Sequence, residues 1–174
     1  VDSSFLTTSP DALNFVHKKK SFYIPNPSDK SFETLNNFNK SCNVDVFFAL
    51  SHGVHRGVLK TGKIDDRILF LNDLKSKTPN IKFDIYGVEK VQPIWADHYF
   101  KTISNAKMGL NLSRGKAIKY YSSDRITQIV GNGLVCLIDE KTNYKNFFND
   151  KEMVFYKNIS DLSEKIIKIS SDEK

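Results

Sequence analysis

Seven short apolar runs, separated by segments with helical periodicity, constrain the fold of this 174-residue chain more than any other feature. Several runs are apolar almost throughout, as expected for strands buried on both faces of a sheet. Strand and helix alternate, which is the pattern of a doubly wound parallel α/β domain. The predicted strands are SFLTT (4–8), SFYIPN (21–26), VDVFFAL (44–50), IKFDIYG (81–87), KMGLNLS (107–113), GLVCLID (133–139) and EMVFYK (152–157).

The segments between these runs predict five helices. SPDALNFVHKK (9–19) begins with a Ser9 cap before Pro10, which suits the first helical position. The others are IDDRILFLNDLKSK (64–77), PIWADHYFKTISNA (93–106), SDRITQIVGNG (123–133) and SDLSEKIIKISS (160–171), the last from a Ser160 cap. Helical spacing predicts these inward-facing residues: Ile64, Ile68, Leu71 and Leu74; Trp95, Tyr99 and Ile103; Leu162, Ile166, Ile167 and Ile169.

One shift in composition divides the chain. IPNPSDKSFETLNNFNKSCN (24–43) is polar and rich in turn residues. It predicts a linker between a small β-α-β piece and the main domain that follows.

Charge and cysteine usage narrow the class of partner. The net charge of +6 comes from scattered lysines and suits an anionic ligand or a bilayer surface as readily as nucleic acid. We expect no nucleic-acid partner, because aromatic and basic residues do not interleave along any one element. Cys42 and Cys136 show no framework spacing, which predicts a reducing compartment, and Cys136 is expected to be a buried thiol. No apolar run approaches membrane-spanning length; Lys18 to Lys20 predict a solvated helix end, with peripheral lipid contact as the minor alternative.

Polar, basic and glycine-containing loops follow two of the predicted strands. In a parallel sheet such loops meet beyond the carboxyl ends of the strands, where ligands bind. Glycine lets the backbone approach a ligand, while arginine, lysine and helix N-terminal amides bind phosphate oxygens. The candidates are Ser51, His52, Gly53, His55, Arg56, Gly57, Lys60 and Lys63 in the first loop, and Ser113, Arg114, Gly115, Lys116, Ser122, Ser123 and Arg125 in the second.

Two interpretations of SSDR (122–125) remain open. One is a phosphate held at Ser122 to Asp124 by the N-terminus of a helix. The other is a serine-capped helix docked on the sheet with solvated arginines, because capping alone explains the serines.

Metal binding and nucleophilic catalysis are not expected. His52 and His55 have no third ligand at a suitable spacing. Asp65 and Asp66 are typical acids of a first helical turn, and no elbow motif surrounds Ser51.

Several segments resemble, in order, parts of the group 1 glycosyltransferases, in the branch of spore-maturation-type enzymes. SFYIPNPSD (21–29) is similar to the interdomain viPNgvD segment, and FFALSHGVHRGVLKTGKIDDR (47–67) to the strand and basic loop that open the second domain. KFDIYG (82–87) is similar to the following strand, and WADHYFKTISNAKMGLNLSR (95–114) to a helix and an igLN-type strand. SSDRITQIVGNGLVCLID (122–139) resembles the family's s.R.fEi.acGg.ll segment.

The resemblance implies a GT-B fold, with two Rossmann-like domains and an active site in the cleft between them. Residues 1–30 would be the remnant of the N-terminal domain with the interdomain linker, and residues 31–174 the Rossmann-like domain that binds a nucleotide-sugar. The implied partners are a nucleotide-sugar donor and a glycan or lipid-linked acceptor, the acceptor being held by the missing N-terminal domain. No cofactor and no metal are implied. The implied location is cytoplasmic, with the inner face of the membrane as an alternative.

The resemblance also implies roles for individual residues. Arg56, with Lys60 or Lys63, would hold the diphosphate, on which negative charge grows as the glycosidic bond breaks. Ser122, Ser123 and Arg125 would lie by the phosphates, and Gly87 would leave room near the base. The family usually has glutamate where this chain has Gln128, and Tyr120 stands where some members have a second acid. Asp124, one turn before Gln128, is a weaker substitute.

Two functions follow from this resemblance. The first is the donor-binding half of a retaining glycosyltransferase, and the second is a non-catalytic module of the same fold that binds a nucleotide or a partner protein. The first is the leading interpretation, and the missing acids are the reason for keeping the second as its alternative. This chain alone is expected to bind a nucleotide weakly and to transfer no sugar.

Overall fold

The computed structural model describes residues 2–51, 64–121 and 123–172. A small parallel sheet pairs β1 (Ser4–Leu6) with β2 (Ser21–Tyr23). The main sheet has five strands, all parallel, in the order β4-β3-β5-β6-β7. Its strands are β3 (Val44–Ala49), β4 (Phe83–Tyr86), β5 (Ala106–Asn111), β6 (Val135–Asp139) and β7 (Val154–Tyr156). The predicted doubly wound α/β class is confirmed.

Four α-helices cover the two faces of the main sheet. They are α1 (Asp66–Lys77), α2 (Ala96–Ile103), α3 (Asp124–Gly131) and α4 (Ile159–Ser171). Buried side chains of α1 and α4 share one core with the sheet, and buried side chains of α2 and α3 share the other. Among the described residues, no helix has the length and apolarity needed to cross a bilayer.

The continuous apolar runs follow from this two-sided packing. Neighbouring residues of a strand point to opposite faces. In β3, Val46 and Phe48 enter the core beneath α1 and α4, while Phe47 enters the core beneath α2 and α3. Cys136 of β6 is likewise buried, as predicted.

The approach of α3 to the sheet depends on a glycine in β5. A Cβ at Gly109 would lie 2.4 Å from Cγ1 of Ile129, which is completely buried on α3. Only glycine lets the helix lie this close to the strand without a shift of Ile129. The position of the α3 N-terminus beside the end of β5 therefore depends on this contact.

The first predicted helix is wrong. Residues 9–19 contain only short 3₁₀ turns at Pro10–Ala12 and, at their end, Lys18–Lys20, and neither turn buries a residue. A helix this short needs tertiary packing of an apolar face, which the segment does not obtain.

Three further details differ from the sequence prediction. Ile64 precedes α1 and is exposed, and Ile167 points to solvent. Helix α4 is capped by Asn158 rather than Ser160, because the Asn158 side chain accepts a hydrogen bond from the Asp161 amide. Trp95 is 60% exposed instead of buried.

The segment before β3 packs along α3. Asn26 Nδ2 donates to Asp124 Oδ1 at 2.8 Å, at the start of the helix. Near its end, a Cβ on Gly131 would lie 2.5 Å from both Ser28 and Glu33. The Leu35 amide donates to Asn132 Oδ1, just beyond the helix. Residues 26–37, which we call the linker strap, therefore contact α3 from end to end.

Candidate functional site

The candidate site lies where the sheet topology changes direction. The chain leaves β3 for α1 on one face and leaves β5 for α3 on the other, although β3 and β5 are neighbours in the sheet. Loops diverge at such a switch point and leave a crevice beyond the carboxyl ends of the strands. A cavity of about 410 Å³ opens there, within the size range of small-molecule sites. Its lining residues are Ala49, Leu50, Ser51, Ile94, Trp95, Ala96, Tyr99, Phe100, Ser123, Asp124, Arg125 and Gln128.

Arg125 places a cation between the ends of the two diverging strands. Its Nη2 donates to the Ala49 carbonyl at 3.3 Å, and its Nη1 donates to the Leu112 carbonyl at 3.2 Å. Its guanidinium carbon lies 5.0 Å from the centre of the Phe48 ring. Within residues 2–51, 64–121 and 123–172, no carboxylate lies within ion-pair distance of Arg125.

The electrostatic state of Arg125 favours a bound anion. Burial, and then the charge of Arg67, lower the pKa of the Arg125 guanidinium. Both effects destabilise the charged form of Arg125. An anion beside the guanidinium would offset them, because it stabilises the charged form. Two neutral carbonyls fix the geometry of the side chain without cancelling its charge.

The N-terminus of α3 is not capped by its own serine. Ser123 has the extended backbone of an N-cap residue, yet its side chain makes no capping hydrogen bond. Its hydroxyl instead donates to Asn111 Oδ1 at 3.3 Å, at the end of β5. Side-chain capping therefore does not account for Ser123, whose hydroxyl supplies no acceptor to the first amides of α3. Its backbone carbonyl accepts from the Ile126 amide at 3.0 Å.

The N-terminus of α1, at the same sheet edge, is already occupied by carboxylates. Asp65 is fully buried, accepts from the Arg67 amide and forms a close ion pair with the Arg67 guanidinium at 2.7 Å. Arg114 lies 3.7 Å from the same carboxylate, and the Gly115 amide donates to Asp66 at 3.0 Å. These acids neutralise the positive end of the helix dipole. Helix α3 also has an acid in its first turn, Asp124, whose carboxylate accepts from Asn26, but its N-terminus has no side-chain cap from Ser123.

Aromatic side chains form the wall opposite α3. Trp95 is the residue before α2, and Tyr99 and Phe100 lie on its first turns. Tyr99 packs edge-on against Phe47 with ring centres 5.4 Å apart. Burial raises the pKa of Tyr99 to about 12, and the charge of Arg125 opposes this shift. The phenol therefore stays neutral and lies within electrostatic reach of Arg125.

The cavity brings together five residues that the sequence analysis named as candidates: Ser51, Ser123, Asp124, Arg125 and Gln128. Gly87 is not among the lining residues; a Cβ there would lie 1.9 Å from the Leu50 carbonyl oxygen. Arg56, Lys60, Lys63 and Ser122 lie outside the described residues, as do His52 and His55. Their roles stay predictions.

Sequence reasoning missed the aromatic wall, because helical spacing places Trp95 and Tyr99 in the core. The available signal was Pro93, three residues before α2 begins: it places Trp95 near the N-terminus of α2, where a side chain reaches the ligand edge of a parallel sheet.

Fold and cavity together define a class: a Rossmann-like α/β domain with a cavity at the switch point of its sheet. The family described as glycosyl transferase-like matches residues 67–174, from the start of α1 to the end of the chain, and this chain belongs to it. The match covers more than half of the sequence and includes every cavity residue that α2 and α3 contribute. No curated protein matches the chain.

Proposed function

We propose that this chain is the donor-binding half of a glycosyltransferase that transfers a sugar from a nucleotide-sugar to a glycan or lipid-linked acceptor. The single observation that carries the proposal is Arg125, held at the switch point by the Ala49 and Leu112 carbonyls with no carboxylate partner among the described residues. A diphosphate supplies the missing negative charge. Membership of the glycosyl transferase-like family supports a nucleotide-sugar as its source.

The chemistry of sugar transfer suits a cation at this position. When the glycosidic bond breaks, negative charge accumulates on the departing nucleoside diphosphate. A guanidinium oriented beforehand by two carbonyls stabilises that charge without having to reorganise. The N-terminus of α3, which the Ser123 side chain does not cap, adds backbone amides beside it. The predicted cations Arg56, Lys60 and Lys63 come after β3 in the sequence.

Calorimetric titration of UDP, GDP and ADP tests this proposal. We expect one of them to bind, and Arg125→Ala to weaken its affinity by about tenfold to a hundredfold, the worth of a hydrogen bond to a charged group. Arg125→Lys keeps the charge but loses the forked geometry, so its loss should be intermediate. Lys77→Ala is the control, because Lys77 is an exposed cation at the end of α1 that pairs with Asp73 and does not line the cavity; its affinity should stay within about twofold of wild type.

Thermal melts of each variant separate a lost contact from a lost fold. Absence of nucleotide binding at millimolar concentration, or equal affinity in wild type and a folded Arg125→Ala variant, would refute a donor site built on Arg125.

Gln128 favours a second candidate, a non-catalytic nucleotide-binding module. It lines the cavity with an amide where the resembled enzymes usually carry a carboxylate. The nearest acid on α3, Asp124, is hydrogen-bonded to Asn26. Nucleotide binding without turnover by the chain combined with its full acceptor domain would favour the module. If the Gln128→Glu variant gains turnover, the carboxylate usually found at this position is the group that the wild-type chain lacks.

A further inference from the structure

Trp95 is held at the mouth of the cavity by its neighbours. Its indole is 60% exposed, whereas Ile94 before it is only 8% exposed in the core. One turn further along α2, Tyr99 is fixed against Phe47. The backbone on both sides is therefore anchored, and the largest apolar side chain of the segment is left facing the cavity.

The residue after Trp95 has a strained backbone. Ala96 has φ 48°, a left-handed conformation that non-glycine residues rarely adopt. Asn36, Glu89, Tyr120 and Asn143, which do not line the cavity, share this conformation. Asparagine tolerates it through local side-chain hydrogen bonds that alanine cannot form. Strain of this kind persists where the surrounding structure imposes it, and it clusters at ligand sites. Here it sets the direction of the chain at Trp95.

The cavity is cationic at one end and aromatic at the other. Arg125 and the N-terminus of α3 lie beside β5, whereas Trp95 and α2 follow β4, and β3 lies between these strands. Two strand spacings separate β4 from β5, roughly 10 Å. A nucleoside diphosphate has a similar length from its terminal phosphate to its base, with charge at one end and a flat ring at the other.

We infer that Trp95 is the residue on which the nucleobase of the bound nucleoside diphosphate stacks, with the diphosphate toward Arg125. This inference rests on the proposed donor site and adds the subsite for the base. An exposed indole offers a π-face that accepts any base, so Trp95 supplies affinity. Discrimination among bases is left to polar groups at the ring edge.

The chain offers a direct readout, because Trp95 is its only tryptophan. Indole fluorescence therefore reports on this site alone. Titration with UDP, GDP or ADP is expected to change the emission of Trp95, because the base covers the indole. Inorganic pyrophosphate, which has no base, is expected to bind and leave the emission nearly unchanged.

Variants at Trp95 test how much stacking on the indole contributes to nucleotide affinity. Trp95→Ala should weaken nucleoside diphosphate binding by about fivefold to a hundredfold, as expected for loss of one stacked base, and leave pyrophosphate affinity within about twofold. Trp95→Phe keeps an aromatic face and should retain most of the affinity. Phe15→Ala is the control: Phe15 is also strongly exposed but lies outside the cavity, and its removal should change neither affinity.

The outcomes distinguish the two proposals. If a nucleoside diphosphate binds, but the emission is unchanged and Trp95→Ala has wild-type affinity, the stacking inference is overturned and the donor site stands. An equal emission change with pyrophosphate also overturns the inference, because the base is then not its cause. If neither nucleotide nor pyrophosphate binds, both the inference and the donor site are overturned.

Discussion

At the residue scale, Gly87 shows how closely the end of β4 approaches the floor of the cavity. It has φ 75°, and a Cβ on it would lie 1.9 Å from the carbonyl oxygen of Leu50, a residue that lines the cavity. The Leu50 amide also donates to the Tyr86 carbonyl at 3.0 Å. Both the backbone angle and the space therefore require glycine. This packing explains the residue whether or not a base lies near it.

Replacing Gly87 with alanine should destabilise the fold by more than about 2 kcal/mol, since left-handed strain and a backbone clash add together. Gly115→Ala is the matched control, because Gly115 has φ 67° but a Cβ there would meet nothing within 4 Å. It should lose only about 1 kcal/mol from strain. Urea unfolding of both variants measures the difference. Equal losses would show that the contact with Leu50 costs nothing.

Residue-level burial followed periodicity on α1, but it failed for Ile167 within α4 and for Trp95 before the first turn of α2. Ile68, Leu71 and Leu74 are buried on α1 as their spacing predicts. Trp95 precedes the first turn of α2, so helical spacing does not describe its direction. Ser123 has the sequence position of a cap, but its hydroxyl bonds Asn111 on another element. Such a partner is set by tertiary structure and leaves no local pattern.

At the element scale, α4 begins with a reciprocal pair of hydrogen bonds. Asn158 Oδ1 accepts from the Asp161 amide, and Asp161 Oδ2 accepts from the Lys157 amide. Lys165, one turn further on, donates to the same carboxylate at 2.9 Å. Burial acts to raise the pKa of Asp161, but the bonds from Lys165 and Lys157 outweigh it and lower the pKa below its ordinary value.

This depressed pKa predicts a pH-dependent contribution to stability. The ionised Asp161 stabilises the fold above its unfolded pKa of 3.8, and the contribution disappears as pH falls through the lower folded pKa. Asp161→Asn should therefore cost about 0.5–1 kcal/mol at neutral pH and progressively less in acid. Chemical denaturation across the pH range measures this. A constant difference down to the lowest pH would contradict the assignment.

A control for that experiment is Asp150→Asn. Asp150 pairs with Lys145 at 3.3 Å on the open surface, with 77% of its side chain exposed. Such pairs contribute only a few tenths of a kcal/mol, so stability should change little at any pH.

The strands of this fold were predictable because both their faces are buried. A run such as VDVFFAL has too few polar residues for an amphipathic helix and the right length for a central strand. All seven predicted strands exist, with ends that differ by at most three residues. Residues 9–19 carried good cap residues but no tertiary partner for an apolar face, which local sequence does not reveal.

At the scale of the whole molecule, the linker strap joins the N-terminal segment to α3. Asn132 is completely buried at the end of α3. Its Oδ1 accepts from the Leu35 amide, its Nδ2 donates to the Gln128 carbonyl, and its own carbonyl accepts from the Asn37 amide. One side chain therefore satisfies the backbone of both the linker strap and the helix.

Asn132→Ala should destabilise the chain by about 1–3 kcal/mol, because it leaves the Leu35 amide without its partner. It also removes one of the two hydrogen bonds to the Gln128 carbonyl, which still accepts from the backbone amide of residue 132. Asn72→Ala is the control, since Asn72 is exposed on α1 and makes only a 3.4 Å contact with Glu89; it should change stability by less than about 0.5 kcal/mol. Thermal unfolding compares the two. A loss no larger than that of Asn72→Ala would mean that solvent replaces the bonds of Asn132.

The place of the cavity was predictable from the sequence, and the residues that line it were only partly so. Parallel strands and a basic loop indicate the carboxyl edge of the sheet from sequence alone. The convergence of Trp95 and Arg125 depends on strand order, because β3 separates the strands that precede their helices. Strand order arises from contacts between distant parts of the chain, and no local motif encodes it.

Contact between the linker strap and α3 also changes how variation in this protein should be interpreted. An altered angle of approach by residues 26–37 would tilt Ser123 and Arg125 as one rigid unit, since Asn26 contacts the start of the helix and Asn132 the end. Substitutions in the linker strap, although remote from the cavity, would then change how strongly a ligand binds in it. A survey of variants that considers only residues lining the cavity would overlook residues 26–37, which help to position Ser123 and Arg125.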